Sequence, residues 1–367
     1  MTKLETFSQI LSLVGMLSKN YVDELVTIIQ NENYTKANSL YQLVENEKST
    51  EDICCPCCDS TYIVRNGHRK TDNKQRYLCR CCGKSFTADT NTIATGTRKK
   101  IKVWEKYIEC MLVGLSVRKT AEICGIHRNT AFAWRHKILD ALRKKYEGTI
   151  LDGIVETDET FFPVSYKGNH TNSLTFVMPR PAHHRGNDHE YQEMEMPDGT
   201  TQFVMLKNKR GLSREQVCVP CAVNRKGNAI AFVGKLGKVN YPCVELALGD
   251  KIRENTTLCA DGEKAYRKLS ASHNLRLIQF NDSKAKKGIY NIQHINSYHS
   301  QLKNFIYGFK GVSTKYLNNY LTWHNYVNYL DETFKEKRKN FLRIVVAVNI
   351  SVTNRGISNR PALPLLC

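Results

Sequence analysis

Two short apolar stretches of the sequence contain carboxylates where a buried strand would normally have none. Glu156, Asp158 and Thr160 alternate along a β-branched stretch and would share one face of a strand. Asp261 ends a second stretch; taken alone, an Asp in that place is more often a helix cap. Burying a carboxylate on a sheet is costly unless a cation compensates it. The two acids together therefore indicate a shared cation site.

A third set of polar side chains follows at helical spacing. Asn296, His299 and Lys303 lie at i, i+3 and i+7 and would share one face of a helix. A polar helix face by itself more often only faces solvent.

A cysteine cluster indicates a second metal site, of a different kind. The chain has 14 cysteines, and two pairs at C-x2-C spacing are separated by 20 residues: Cys55, Cys58, Cys79 and Cys82. Four thiolates at this spacing bind one structural Zn²⁺ tetrahedrally. Cys54 and Cys57 form a competing C-x2-C pair, so spacing alone leaves the register open. Tyr77 and Phe86 flank the second pair and can form a very small core.

The segment after the cysteines predicts a DNA-binding motif. A helix, a turn at Gly125 and a second helix are typical of a helix-turn-helix. The second helix would bury an apolar stripe and present Arg128, Asn129 and Arg135 to a DNA groove. Without its neighbours, the same pattern also fits an ordinary basic helical hairpin.

Composition favours a nucleic-acid partner. The 367 residues contain 54 Lys and Arg against 35 Asp and Glu, a formal net charge of +19. A hydrophobic content of 41% argues against a disordered chain. No apolar run approaches ~18 residues, so we expect no membrane span. Lys286 and Lys287, just before the third polar set, are the best individual candidates for phosphate contacts; other basic runs, including Lys335–Lys339, extend the predicted DNA track.

The pattern along the chain predicts five regions. From residue 150, short β-branched stretches alternate with helical ones, which predicts a mixed α/β domain. The expected regions are a helical N-terminal arm at 1–50, a zinc ribbon at 51–92, a helix-turn-helix domain at 98–147, an α/β domain at 150–330 with an insertion at about 163–215, and a C-terminal helical tail at 331–367.

The combination of motifs resembles a known family. Bacterial insertion-sequence transposases of the DDE type join a zinc ribbon and a helix-turn-helix to an RNase H-like catalytic domain. The resemblance covers roughly residues 50–330. It depends on the ribbon, on Asp158-Glu159-Thr160, on Ala260-Asp261-Gly262, on His294-x-Asn296 with Lys303, and on Gly311–Leu317. Most relatives have Glu where this chain has Asn296, so the set reads Asp-Asp-Asn with Lys.

The resemblance implies an enzyme, its cofactors and its partners. The catalytic residues would be Asp158, Asp261, Asn296 and Lys303, with two Mg²⁺ or Mn²⁺ ions held by the first three; His299 is the rival third ligand. The enzyme would bind double-stranded DNA at the element ends, cleave it and join the exposed 3′-hydroxyl to target DNA. It would act as a homodimer in the synaptic complex and would be cytoplasmic, bacterial and nucleoid-associated.

Two other functions remain open at this point. A catalytically inactive zinc-ribbon and helix-turn-helix protein would only bind DNA and regulate it. A structure-selective RNase H-like nuclease would cleave according to junction shape and not according to end sequence.

Overall fold

The computed structural model of the chain describes residues 53–169 except 72, 94, 96–98 and 100, the backbone of 191–195 and 201–205, and residues 216–366 except 283–285, 331, 349 and 351. The predicted N-terminal arm lies outside the described residues, as does most of the predicted insertion. The described residues form two compact units, 53–147 with 326–357 and 148–325 with 358–366.

The cysteine-rich segment forms a three-stranded antiparallel sheet with its second strand in the centre. Its strands are β1 (Ile63–His68), β2 (Gln75–Cys79) and β3 (Ser85–Thr87). The rings of Tyr77 and Phe86 stack across β2 and β3 with centroids 5.7 Å apart. This pair supplies the small core expected from the sequence, and the cysteines lie at the strand ends.

Three helices follow the ribbon in the same unit: α1 (Ile101–Leu112), α2 (Val117–Cys124) and α3 (Arg128–Tyr146). Ser116 caps α2 by accepting a hydrogen bond from the Lys119 N–H. Gly125 ends α2 in the left-handed region with φ 59°. The rings of Trp104 and Trp134 stack 3.6 Å apart and join α1 to α3. A short turn between α2 and α3 thus produces the predicted helix-turn-helix arrangement.

The second unit is built on a mixed five-stranded sheet of order β10–β9–β4–β7–β8. The central β4 pairs in parallel with β9 and antiparallel with β7. A separate antiparallel hairpin, β5–β6, lies within the predicted insertion. The strands are β4 (Ile154–Pro163), β5 (Tyr191–Glu195), β6 (Thr201–Met205), β7 (Gln216–Asn224), β8 (Ala229–Ala231), β9 (Thr257–Asp261) and β10 (Arg276–Phe280).

Helices cover both faces of this sheet. On one face α4 and α5 pack together, and the buried side chains of Val155, Leu258, Tyr266 and Leu269 form the core beneath them. On the other face α6 packs against β4 and β7. The helices are α4 (Tyr241–Leu248), α5 (Lys264–Ser272), α6 (Gln293–Gly308) and α7 (Leu317–Asn328), with 3₁₀ turns at Gly249–Lys251 and Thr314–Tyr316. The described helices include none long and apolar enough to cross a membrane.

The C-terminal region belongs to both units. Helix α8 (Phe334–Ala347) packs on α1 and α3, and its Arg338 lies 3.2 Å from the Glu109 carboxylate. A short α9 (Asn354–Ser358) follows. The N–H of Leu366 then donates to the Gly234 carbonyl in the second unit, at 2.8 Å. Residues 331–367, predicted as one helical tail, are thus divided between the two units.

Candidate active site and metal centre

Two parallel strands place the predicted carboxylates side by side. The register of β4 and β9 pairs Glu156 with Cys259 and Thr157 with Ala260. The next residues in both strands are Asp158 and Asp261, so these two side chains lie on the same face of the sheet. One Asp261 oxygen accepts the Glu263 N–H at 3.0 Å and forms the turn before α5. The N-cap of α5 is Glu263, so Asp261 stabilises the turn before the helix and is not its cap.

Helix α6 brings the third polar set to the same face. Nδ1 of His299 is 3.8 Å from Oδ2 of Asp158, while its Nε2 is buried without a hydrogen-bond partner. Asn296 lies one turn earlier, is half-buried, and makes no side-chain hydrogen bond with any described residue. Lys303 lies one turn later and is exposed, and its charge acts on both Asp158 and His299. Asp158, Asp261, His299 and Lys303 therefore meet around one site, with Asn296 beside it.

The carboxylates in this region hold their protons unusually tightly. Burial raises the pKa of Asp158 to about 6, and the nearby Asp261 charge adds to the increase. Burial also raises the pKa of Glu159 to about 7, again with a contribution from Asp158, although the Tyr266 hydroxyl donates to it at 2.9 Å. Clustered, partly buried carboxylates favour a cation because it removes this mutual repulsion.

The imidazole of His299 is held neutral. Burial lowers the pKa of His299 to about 4, and the charge of Lys303 lowers it further. A neutral imidazole has one nitrogen lone pair available for a metal ion or for a hydrogen bond. His299 thus remains a rival to Asn296 as the third ligand.

The donor set fits hard divalent cations. Two carboxylates and an amide oxygen are ligands that Mg²⁺ and Mn²⁺ accept together with water and phosphate. Asp158, Asp261 and His299 do not all approach within 4.8 Å, because the cysteine group is the only set of three or more His, Cys, Asp or Glu residues in the described ranges to do so. The carboxylate site is therefore less tightly clustered than the four cysteines.

Sequence reasoning did not find the role of Glu156. Its side chain is 1% exposed and contacts the start of α6. It accepts hydrogen bonds from the backbone of His294 and Ile295 and forms an ion pair with Arg225. The buried position of an acid on the predicted strand was the only available signal, because its donors lie about 70 and 140 positions further along the chain.

The four predicted zinc ligands come together in the ribbon. The Sγ atoms of Cys55 and Cys82 are 3.5 Å apart, those of Cys58 and Cys79 are 3.6 Å apart, and all four lie within 4.8 Å of one another. A tetrahedral Zn²⁺ with bonds of ~2.3 Å requires sulfur atoms about 3.8 Å apart. The backbone N–H of Cys82 lowers the pKa of Cys79 to about 6. The structure thus selects this register over the Cys54 and Cys57 pair.

The predicted DNA-reading residues of α3 separate into two groups. Arg128 and Asn129 are exposed at the start of the helix. The prediction for Arg135 is wrong, because its side chain is fully buried and donates to the Leu115 carbonyl at 2.7 Å and to Thr120 at 3.3 Å. The buried stripe of α3 is wider than its apolar residues indicate, and it includes this arginine.

Other predicted basic contacts also differ in their exposure. Lys286 and Lys287 are both exposed, and Lys287 donates to the Gln279 carbonyl at 3.1 Å. In the basic run on α8, however, Lys337 is 2% exposed and donates to the Val327 carbonyl at 2.7 Å. That run therefore contributes to packing in the first unit and cannot serve as a whole in a DNA track.

Comparison with known proteins decides among the functions that this geometry allows. Residues 197–327, which include Asp261, Asn296 and Lys303, match the family of ISXO2-like transposase domains. The match covers 131 of the 367 residues, and this segment of the chain is similar to an ISXO2-like transposase domain. The predictions of an insertion-sequence transposase and of an RNase H-like α/β fold are therefore confirmed. In general terms the transposase is an enzyme that binds DNA, cuts it and transfers strands, and a regulator without activity is not favoured.

A relative and a solved structure were also found. The transposase is 22% identical over 272 residues to an uncharacterized protein of the transposable element ISH50 from Halobacterium salinarum, covering 73% of this chain and 83% of the relative. It is also similar to a pre-cleavage Mos1 transpososome, with 11% identity, 65% of this chain and 75% of that chain covered, and a TM-score of 0.20. That TM-score is too low to support a comparison of the two folds.

Proposed function

We propose that the transposase cleaves DNA at the ends of an insertion sequence and joins the new 3′-hydroxyl to target DNA, with Asp158 and Asp261 as its central ligands for divalent cations. The observation that carries this proposal is the parallel register that sets the two aspartates side by side against α6. Asn296 or His299 completes the ligand set, and Lys303 neutralises a phosphate near the cut.

Two Mg²⁺ or Mn²⁺ ions bound there would activate the attacking oxygen and stabilise the leaving one. The chain's own contribution is geometric and electrostatic. Strands β4 and β9 hold the aspartates at a fixed separation, and α6 holds the third ligand and Lys303 on the facing side. The raised pKa of Asp158 means that cation binding must displace a proton at mildly acidic pH.

The remaining parts of the chain have proposed roles in recognition. The ribbon would hold a structural Zn²⁺, and Arg128 and Asn129 would contact the element ends through the helix-turn-helix. Lys286 and Lys287 would contact phosphates near α6. The enzyme would act as a homodimer because two DNA ends must be brought together for joining.

The test uses the purified zinc-loaded protein and duplex DNA that carries the terminal repeats. With Mg²⁺ or Mn²⁺ the wild type should nick the DNA at the repeat end, and Asp158→Ala should reduce nicking by at least a thousandfold while retaining DNA binding. Comparison of Asn296→Ala with His299→Ala identifies the third ligand. Only the variant that loses a ligand should need a higher Mn²⁺ concentration for half-maximal nicking. Equal cleavage by wild type and Asp158→Ala would refute the site assignment.

A further inference from the structure

The start of α6 is capped by a side chain from another element. The residue at its N-cap is Ile292, which makes no side-chain cap hydrogen bond. Instead, Oε2 of Glu156 accepts the backbone N–H groups of His294 at 2.7 Å and Ile295 at 3.1 Å. These are free N–H groups of the first helical turn, which normally require a local acceptor. A carboxylate at this position also complements the positive end of the helix dipole.

The second oxygen of Glu156 is engaged as well. Oε1 lies 2.7 Å from the Arg225 guanidinium and 2.9 Å from Nδ1 of His294. Arg225 also donates to the carbonyl of Ile289 at 3.3 Å, in the segment that leads into α6. A carboxylate that is 1% exposed would be strongly destabilising without such partners. Its contacts compensate the buried charge and fasten both the helix start and the preceding segment to β4.

We propose that Glu156 is a positioning residue that fixes the distance between the two sides of the cation site, an inference that rests on the proposed function. Glu156 precedes Asp158 by two positions on the same strand face, and its helical partners directly precede Asn296. The link between ligand-bearing strand and ligand-bearing helix is therefore only a few bonds long. Because the proposed third ligand is neutral, accurate placement must replace part of the attraction that a third carboxylate would supply.

The test is the nearly isosteric variant Glu156→Gln, whose amide N–H₂ group would face N–H donors instead of accepting from them. Mn²⁺ binding to the zinc-loaded protein without DNA is measured by calorimetry, beside DNA-end binding without added divalent ions. We expect Mn²⁺ affinity to fall at least tenfold and kcat for nicking to fall with it, while DNA affinity and KM stay within twofold. The Mn²⁺ affinity of Glu156→Asp should lie between that of the wild type and that of Glu156→Gln.

A matched control separates positioning from general stability. Asp152 pairs with Lys226 and Arg253 in the same unit, and neither partner belongs to α6. Asp152→Asn should leave Mn²⁺ affinity unchanged even if it lowers the melting temperature. If Glu156→Gln lowers the melting temperature but binds Mn²⁺ as tightly as the wild type, the positioning role is refuted and the proposed function stands. If Asp158→Ala also binds Mn²⁺ normally, the proposed function itself fails.

A different observation carries a second inference, at the far end of α6. Tyr307 is 72% exposed, and Nζ of Lys310 lies 3.9 Å above its ring centroid. Lys303 lies one helical turn before Tyr307, and Nζ of Lys167 donates to the Lys310 carbonyl at 3.4 Å. In the described ranges none of these three lysines forms an ion pair with a carboxylate, although the charge of Lys303 acts on Asp158. We call Lys167, Lys303, Tyr307 and Lys310 the distal patch.

We infer that the distal patch binds a single-stranded segment of the DNA end, with Tyr307 stacking on an unpaired base and the lysines contacting phosphates. This inference also rests on the proposed function. Tyr307 lies two turns from His299, about 12 Å along the helix axis, which corresponds to three or four base steps of DNA. Lysine ammonium groups that form no ion pair can contact phosphates, and an exposed aromatic ring beside them can stack on a base of a nucleic-acid strand.

Binding of fluorescent oligonucleotides tests this patch. A terminal-repeat duplex with a single-stranded overhang carrying 2-aminopurine is compared with the blunt duplex. Tyr307→Ala should weaken binding of the overhang DNA roughly fivefold to a hundredfold, the usual range for loss of one stacked base, and should abolish 2-aminopurine quenching. Tyr307→Phe should retain both, and neither variant should change binding of the blunt duplex by more than twofold.

The lysines have a charge-matched control in the same unit. Lys310→Ala should weaken overhang binding, whereas Lys268→Ala, which removes an exposed lysine 5.9 Å from the Tyr241 ring, should not. Equal effects of Tyr307→Ala on overhang and blunt DNA, or no effect on either, would refute the patch. Nicking that still requires Asp158 would show that the proposed function survives that result.

Discussion

Asp158 and Glu159 are adjacent residues that face opposite sides of one strand, and both resist ionisation. Asp158 lies beside Asp261 on the α6 side, and Glu159 lies beside Tyr266 on the α5 side. Burial is the main cause for both, because water cannot stabilise their charges there. Without a cation these two carboxylates therefore oppose folding at neutral pH, and a cation bound at the proposed site would reduce that cost.

This has a measurable effect on stability without added Mg²⁺ or Mn²⁺. The pKa of Asp158 rises from 3.8 to about 6 on folding and that of Glu159 from 4.5 to about 7. Between about pH 4 and pH 7 these two carboxyl groups then bind more protons in the native state than in the unfolded state, so their own contribution to stability falls as pH rises through this window. We expect Asp158→Asn to be more stable than wild type at pH 7 by on the order of 1–3 kcal/mol, and equal to it at pH 4.

Urea unfolding at several pH values measures this difference. Asp152→Asn is the control: the Lys226 ammonium lowers the pKa of Asp152, so its loss should destabilise the protein at pH 7. A stability difference between Asp158→Asn and wild type that does not change with pH would contradict the assigned cause.

Individual residues show where prediction from sequence succeeds. Asp158 and Asp261 could be paired because acids in apolar strands are costly, and that cost is visible in the sequence. Glu156 was an acid of the same kind. Its capping of α6 and its contacts with Arg225 and His294 are tertiary interactions that no local pattern encodes. Arg135 was misplaced because a buried arginine needs a specific carbonyl partner, and Leu115 supplies it only after α1 and α3 have packed.

At the scale of an element, two arginines on helix α3 have different roles. Arg128 is exposed at the first turn, and Arg135 is buried two turns later against the Leu115 carbonyl. Arg128→Ala should therefore weaken DNA binding and reduce the salt dependence of binding by about one counterion, with little effect on stability. Arg135→Ala should instead cost about 2–4 kcal/mol of unfolding free energy, because it removes a buried charged hydrogen bond.

Thermal unfolding and fluorescence anisotropy at several salt concentrations separate the two variants. If Arg135→Ala folds as stably as wild type and binds DNA weakly, then the buried arrangement is not the one present in solution. The helices themselves were predictable, since Ser116, Gly125 and the apolar spacing are local signals. The packing of α8 on α1 and α3 was not, because it joins segments about 200 residues apart.

The zinc proposed for the ribbon would stabilise its fold. Its hydrophobic core is small, with Tyr77 and Phe86 stacked across two strands, so the four metal–thiolate bonds of the proposed zinc would supply much of its folding free energy. Cys82→Ser should lose the bound zinc and unfold the ribbon. Cys57→Ser is the matched control, since Cys57 is exposed, accepts from Lys84 at 2.8 Å, and lies outside the four-sulfur cluster.

Zinc content after dialysis distinguishes these variants. Wild type and Cys57→Ser should each retain one zinc per chain, and Cys82→Ser should retain much less. Loss of zinc from Cys57→Ser would favour the competing register of cysteines, in which Cys54 and Cys57 act as ligands.

At the scale of the whole molecule, the chain passes from the first unit to the second, back to the first and again to the second. Its last described residues belong to the second unit. There the Leu366 N–H donates a hydrogen bond to the Gly234 carbonyl, and the Lys315 ammonium donates one to the Ser358 carbonyl at 3.3 Å. Lys315 is only 5% exposed, so losing this partner leaves a buried cation less well compensated.

Removal of residues 358–367 should therefore destabilise the second unit by about 1–3 kcal/mol and lower its melting temperature by several degrees. Differential scanning calorimetry measures this change. Leu366→Ala keeps the backbone N–H and should match wild type closely. An unchanged melting temperature in the truncated protein would show that the return of the chain end contributes nothing to this unit.

Because two separate stretches of the chain form the first unit, its parts are also synthesised at different times. Helix α8, which covers α1 and α3, is synthesised about 200 residues after α3. At typical translation rates of 5–20 residues per second, roughly 10–40 s separate their emergence from the ribosome. During that interval α8 cannot yet cover α1 and α3, so the first unit can complete its packing only after most of the second unit has been synthesised.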